Sequence, residues 1–447
     1  MPFRNTVDYI QKQVRLSYNV YIFTRYKFSD GGNLTKMSIL KLKLNIAPAY
    51  IGPILSLADA WSAENALSND VSSRFRMAVE EFASYLSSVF SGEELSAEFG
   101  EYGRRIFAEF SFNEKDIDLS ALNMVNIHRK AGHEVSTDTS LMLARLSADN
   151  FTVCADAHGR LAIRAYIEKS YPCETPQQPC GASVPPLKLS ANKDTLHAAM
   201  LTAAGIDGSF AESLYARSPE ALAADIEAGA AKALWAEDGA GHPAAFIYWE
   251  ERGRTAIFNG PYAAAADLDG KALTFVVEKF LSSAAKSGMT CAVSETAVPV
   301  AVAAYFEKYG DLYYRAMNED CGGNVWAPQA LIPEIDRIYD AFDLMRRVIP
   351  ADFTPDAGKS LLDVSFSRDR RSAVIIPLMI HSDFSELLRA HTKKLSGMGF
   401  ETITALFKLG SRSEAAAAAA ASECGFEPVW IRPGECLEDT LVMKYAK

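Results

Sequence analysis

The chain has 447 residues, 49% hydrophobic and 23% charged, with a formal net charge of −11. This is a folded, acidic protein, too long for one ordinary core, so two or three domains are expected. No basic block offsets the acidity, which argues against direct nucleic-acid binding. No apolar run reaches the roughly 20 residues needed to span a bilayer, and no leader pattern opens the chain, so no membrane association and a cytoplasmic location are expected.

Residues 1–36 have no clear periodicity and end in a Gly-rich turn, as expected of an extension, either disordered or preceding the true start. Regular structure begins near Met37 with a strand, LKLKLNI, then a helix from Tyr50 to Ala66. A second helix carries Phe75, Ala78, Val79, Phe82, Leu86 and Val89 at helical spacing, which marks its buried face. On its other side Glu80 follows Arg76 by four residues, an ordinary i, i+4 pair, while Glu81 shares a stripe with Ala78 and Tyr85. Strands are expected at IFAEFSF, FTVCAD and RLAIRAYIE, with a helix near Leu141–Leu146. Helices followed by hairpin strands predict an α/β sandwich.

The segment YPCETPQQPCGASVPP, 171–186, reads as a linker. Next come a strand, two helices, three strands (232–238, 244–250, 255–263), a helix from Gly270 to Ser287, strand 289–295, helix 299–309 and strand 311–317. After Pro328 a connecting helix leads to SLLDVSF and SAVIIPLMI, a helix near 383–397, the strand ETITALFKL, helix 413–424 and two short strands. SEAAAAAAASECGF parallels VAVAAYFEKYG in position and ending, which points to a diverged internal repeat. The alanine run reads as a close-packed helix stopped by Gly425.

The seven cysteines form no disulfide framework, and Cys173 and Cys180 lack a second ligand pair, so no metal is expected. His128 and His133 are five apart, off the i, i+4 spacing of two ligands on one helical face, and read as surface residues. There is no G-x-x-x-x-G-K-[ST], H-E-x-x-H or G-x-S-x-G motif.

Residues 37–170, through RMAVEEFASYL, FAEFSFNEKDIDLSAL and TDTSLMLARLSADNFTV, resemble the ATPase domain of histidine kinases and anti-sigma serine kinases. The resemblance implies a Bergerat-type sandwich and ATP. It places Glu81 at the general-base position, but Tyr85 stands where the family keeps the Mg²⁺-holding Asn. Asn113, or Asp116 in another register, falls at the adenine-contacting Asp, and Ser140 belongs to the stretch matching a glycine-rich phosphate motif, here without glycine. These departures imply a degenerate ATPase with at most weak nucleotide binding, and the alternative stays open that only the periodicity is shared.

Residues 187–327 resemble the GNAT acyltransferase fold, through FNGPYAAAADLDGKALTF and the order of elements. The resemblance implies acetyl-CoA held by strand backbone at Tyr262 and Ala263, and by Gly270, Lys271 and Ala272 at a helix N-terminus. Asp267 and Asp269 would repel a diphosphate there. The position of the family's acid is Phe306, with Tyr305 beside it as a weak substitute, and Glu295 is a candidate base acting through water. Residues 338–447 look like a shortened GNAT-like copy in which HSDFSELL, better suited to helix capping, replaces the CoA loop.

Three readings follow. One is a regulatory bacterial protein that senses a nucleotide or acyl-CoA and binds a protein partner of anti-sigma or signalling type. The second is an active N-acetyltransferase with a regulatory N-terminal domain, and the third a non-catalytic scaffold. Acceptor and oligomeric state are not legible.

Overall fold

The computed structural model describes residues 10–16, 20–28, 34–37, 39–90, 92–113, 117–125, 127, 137–155, 160–179, 181–266, 269–320, 322–367, 371–435 and 438–446. Asp116, His128, His133, Cys180 and Asp267 lie outside them. The fold is mixed α/β with several sheets. Two compact units are present, residues 1–170 with 359–365, and residues 171–358 with 366–447. Among the described residues no helix is long and apolar enough to cross a membrane.

The first unit opens with β1 (Ile10–Leu16), β2 (Val20–Phe28) and β3 (Leu34–Met37), an antiparallel sheet in the stretch that lacks clear periodicity. VYIFTRYKF supplies the β-branched and aromatic residues that favour extended backbone, without strict alternation. Then follow β4 (Leu40–Asn45), α1 (Ile51–Glu64), α2 (Asn69–Val89), β5 (Glu94–Tyr102), β6 (Arg105–Phe112), α3 (Thr137–Ser147), β7 (Asn150–Ala155) and β8 (Leu161–Glu168). Their sheet has the order β4–β5–β6–β8–β7, antiparallel throughout.

Helix α2 begins at Ser68, whose hydroxyl accepts from the Val71 amide. It buries Phe75, Ala78, Val79, Phe82 and Leu86, where Phe75 meets Phe99 and Phe82 meets Phe110 of the sheet. Burial of each Phe, Val and Leu in this set is worth about 1.5–3 kcal/mol. Val89, expected on this face, is 43% exposed at the last residue of the helix, while Phe90 after it is buried against Phe112 of β6. Arg76 pairs with Asp59 of α1 rather than with Glu80.

The second unit contains β9 (Lys188–Leu189), α4 (Lys193–Ile206), α5 (Gly208–Ala211), α6 (Leu214–Arg217), α7 (Pro219–Ala228), β10 (Lys232–Glu237), β11 (Pro243–Arg252), β12 (Thr255–Ala263), α8 (Lys271–Lys286), β13 (Cys291–Ser294), α9 (Val300–Ala303), β14 (Glu307–Tyr309) and β15 (Leu312–Ala316). These strands form one sheet, β14–β15–β13–β12–β11–β10–β9. One face packs on α8, with Trp249, Phe258 and Phe280 at the centre. The other packs on α4 to α7 through Phe210, Tyr215, Phe246, Tyr248 and Tyr262.

The helix expected over 299–309 stops at Ala303. Tyr309 and Leu312 face each other across Gly310 and Asp311, and Gly310 has φ +59°, so a tight two-residue turn draws residues 307–309 into a hairpin.

The chain continues through β16 (Gly323–Ala327), α10 (Ile332–Ala341), β17 (Arg346–Pro350), β18 (Leu361–Ser367), β19 (Ser372–Met379), α11 (Phe384–Gly397), β20 (Thr402–Lys408), α12 (Arg412–Glu423), β21 (Phe426–Glu435) and β22 (Glu438–Tyr445). The last five strands take the order β18–β19–β20–β22–β21, and β19 runs parallel to β20. Helix α12 buries Ala415, Ala417, Ala418 and Ala421, so the alanine run lets it lie close to β16 and β20.

Candidate functional site

Strands β12 and β13 are parallel neighbours that pair only over Thr255–Ile257 with Cys291–Val293, after which β12 runs on alone on that side. β13 itself ends at Ser294, one residue past the last pair, and β12 is also distorted along its other neighbour. Phe246 faces Tyr262 and Tyr248 faces Asn259, so Gly260 and Pro261 together stand opposite the single residue Ile247. This is a β-bulge, which bends and twists the strand that carries the extra residue. Gly260 has φ +94°, and a Cβ there would lie 2.9 Å from the Tyr262 ring, so glycine is required. Pro261 has no N–H to give to a ladder.

Just beyond the opened strand, Gly270 caps α8 in the left-handed conformation, φ +66°. Lys271 reaches Asp269 at 2.8 Å, with both side chains mostly exposed, and Ala272 is buried. That contact holds the Asp269 carboxyl below its ordinary range. Tyr262 turns its ring into the α4–α7 side, 4.5 Å from Phe210 and 5.3 Å from Phe246. Ala263 is half-buried against the α8 side. The fold thus places Tyr262, Ala263, Gly270, Lys271 and Ala272 along the end of β12 and the start of α8.

The two acid–base candidates are committed elsewhere. Tyr305 donates its hydroxyl to Glu278 Oε1 at 2.7 Å, while Arg315 holds its backbone carbonyl at 2.8 Å. The Glu278 carboxylate pushes the phenol above its ordinary value, which favours keeping the proton. Phe306 is buried and stacks on Phe258, 4.9 Å between centroids. Glu295, just past β13, accepts from Arg432 Nη2 at 2.6 Å, and the guanidinium lies 5.5 Å from the Trp430 ring centroid. Thr255 donates to the Pro433 carbonyl and the Arg254 amide to that of Gly434, so the end of β21 is fastened beside the start of β12.

Sequence reading missed a buried polar cluster in this unit. Arg346 is paired with Asp320 and, through Nε and Nη2, with Asp439, and Asp439 also accepts from the Tyr339 hydroxyl and the Gly434 amide. Arg346 and Asp439 are 93 residues apart, so no local pattern marks them. A cleft of about 850 Å³ lies beside this cluster, lined by Asn324, Asp336, Asp340, Asp343 and Arg347 among others.

In the first unit Glu81 is half-buried on α2, and Tyr85, one turn on, is 5% exposed. The Tyr85 hydroxyl donates to the Asp118 carbonyl at 2.6 Å, tying α2 to the loop after β6. Burial opposes charge on Asp118, but hydrogen bonds from Lys359, at 2.6 Å, and from Ser120 hold its carboxyl below the ordinary range. Asn113 is exposed at the end of β6, and Ser140 is half-buried on α3.

No protein-family model matches the chain, and no curated protein matches its sequence.

Proposed function

We propose that the chain is a regulatory acyl-CoA-binding protein, with a Bergerat-type first unit that has lost its metal position and a second unit built from a GNAT-like module and a shortened copy. The observation that carries this reading is the parallel pair β12–β13, closed for three residue pairs and then open, at the centre of a sheet ordered β14–β15–β13–β12–β11–β10–β9. An extended pantetheine-like chain matches the main-chain groups of an opened strand by β-augmentation, and the diphosphate falls toward the start of α8.

Binding without transfer fits the side chains better than catalysis. Tyr305 is bonded to Glu278 and Glu295 to Arg432, so neither the acid nor the base candidate is poised for proton transfer. In the first unit, the tyrosine in place of a metal-holding Asn spends its hydroxyl on the fold itself. The sequence resemblance of residues 37–170 to anti-sigma serine kinases supports a protein partner.

Titration calorimetry of the whole chain with acetyl-CoA tests the proposal. Micromolar binding, weakened about tenfold or more by Lys271→Glu through added repulsion of the diphosphate, is the expected result. Absence of heat with acetyl-CoA overturns it.

A further inference from the structure

Within the first unit, the segment Lys359–Ser365 is seated by a run of specific bonds. Lys359 meets Asp118 at 2.6 Å. The Asn123 amide donates to the Ser360 carbonyl and accepts from the Leu362 amide, both at 2.9 Å, so one side chain grips two main-chain groups. Arg145 of α3 donates to the Val364 carbonyl at 3.1 Å, and its guanidinium lies 5.5 Å from the centroid of Phe151. Ser360, Leu361, Leu362, Asp363 and Val364 are each at most 1% exposed.

An aspartate in the middle of such a run is an anomaly. The Asp363 carboxyl accepts from the Phe151 amide of β7, the edge strand of the antiparallel sheet, and from the Val364 amide. Its Oδ1 has no hydrogen-bond partner among the described residues. A charged carboxylate with an orphaned oxygen in a dry site is costly, whereas the neutral acid loses much less on burial.

We propose that residues 359–365 form a proton-dependent clasp on the first unit, seated when the Asp363 carboxyl is protonated and loosened when it is charged.

The charges around the group set the window. Burial pushes the carboxyl up to about 7, against the pull of Arg145 on α3 and Arg105 on β6. Neither cation is reserved for it, since Asp149 acts on Arg145 and Glu168 lies 3.4 Å from Arg105. Asp118 and Lys359, at the start of the segment, neutralise one another. A carboxyl whose seated value exceeds its value in water favours the seated form at low pH, and loses that contribution as pH rises from about 4 to about 7. From 3.8 to about 7, seating weakens by up to about a thousandfold.

Hydrogen–deuterium exchange of the full chain, followed on peptides covering 359–365 and corrected for the intrinsic pH dependence of exchange, tests the clasp. Protection in the wild type is expected to fall about tenfold or more between about pH 5 and about pH 8, while Asp363→Asn, which cannot charge, stays equally protected at both. Unchanged wild-type protection overturns the clasp, as does an Asn variant that loses protection in parallel with the wild type. Should the variant not fold, the wild-type profile, joined by the rate of tryptic cleavage after Lys359 over the same pH range, decides alone: cleavage that does not accelerate, once corrected for trypsin's own pH dependence, overturns the proposal.

Discussion

Gly270 and Ala301 are packed so closely that a methyl group on the glycine would lie 2.4 Å from the alanine Cβ. The start of α8 therefore rests on α9 through bare backbone, and the positive φ of Gly270 forbids a side chain a second time. Gly270→Ala is expected to cost about 2–4 kcal/mol in urea unfolding, and Ala301→Gly in the same chain should recover part of that loss. A glycine in this position is thus accounted for by packing, and Lys271 is the better residue with which to probe ligand binding.

Tyr85→Phe removes the donor that satisfies the Asp118 carbonyl and leaves its ring in place. A loss of about 1–2 kcal/mol is expected in denaturant unfolding of the first unit. A neutral result would mean that the Asp118 carbonyl finds another donor.

Asp439 accepts from Arg346, Tyr339 and Gly434 at once, and both ionic side chains are under a tenth exposed. Asp439→Asn is expected to destabilise the second unit by about 1.5–3 kcal/mol, because the buried guanidinium keeps Asp320 but loses its second carboxylate. A double-mutant cycle combining Asp439→Asn with Arg346→Met should show a coupling of about 0.5–3 kcal/mol in the same unfolding curves.

Cys291 is buried beside Thr255, and burial pushes its thiol up to about 12. At about pH 8 its thiolate is scarcer than that of an ordinary cysteine by about a thousandfold. Native protein should therefore lose the exposed Cys154 and Cys173 to iodoacetamide first, with Cys291 modified only after denaturation. Peptide mass mapping of a short alkylation checks this, and early modification of Cys291 would contradict the buried setting.

Local pattern made much of the fold legible. The stripe Leu273, Val276, Val277, Phe280, Leu281 and Ala284 is buried along α8, because helical period and core contact are the same fact read twice. The strands 232–237, 243–252 and 255–263 lie close to their expected limits for the same reason. Legibility failed where a distant partner decides. Tyr305 left its expected helix because a turn at Gly310 pairs β14 with β15. Glu295 reads as a solvated strand end until Arg432, 137 residues later, arrives beside it. Asp363 in SLLDVSF gives no local sign that Arg145 and Phe151 will surround it. The composition of 1–36 hid its strands, since alternation is weak there and pairing supplies the order.

The bulge at Gly260 and Pro261 also bears on solubility. A strand that peels from its neighbour presents unpaired main chain, the kind of edge on which a foreign strand can add and start aggregation. Proline breaks the row of donors midway along that edge, and the kink beside it spoils the flatness an incoming strand needs. A second β-strand therefore meets a poor template along β12 beyond Ile257.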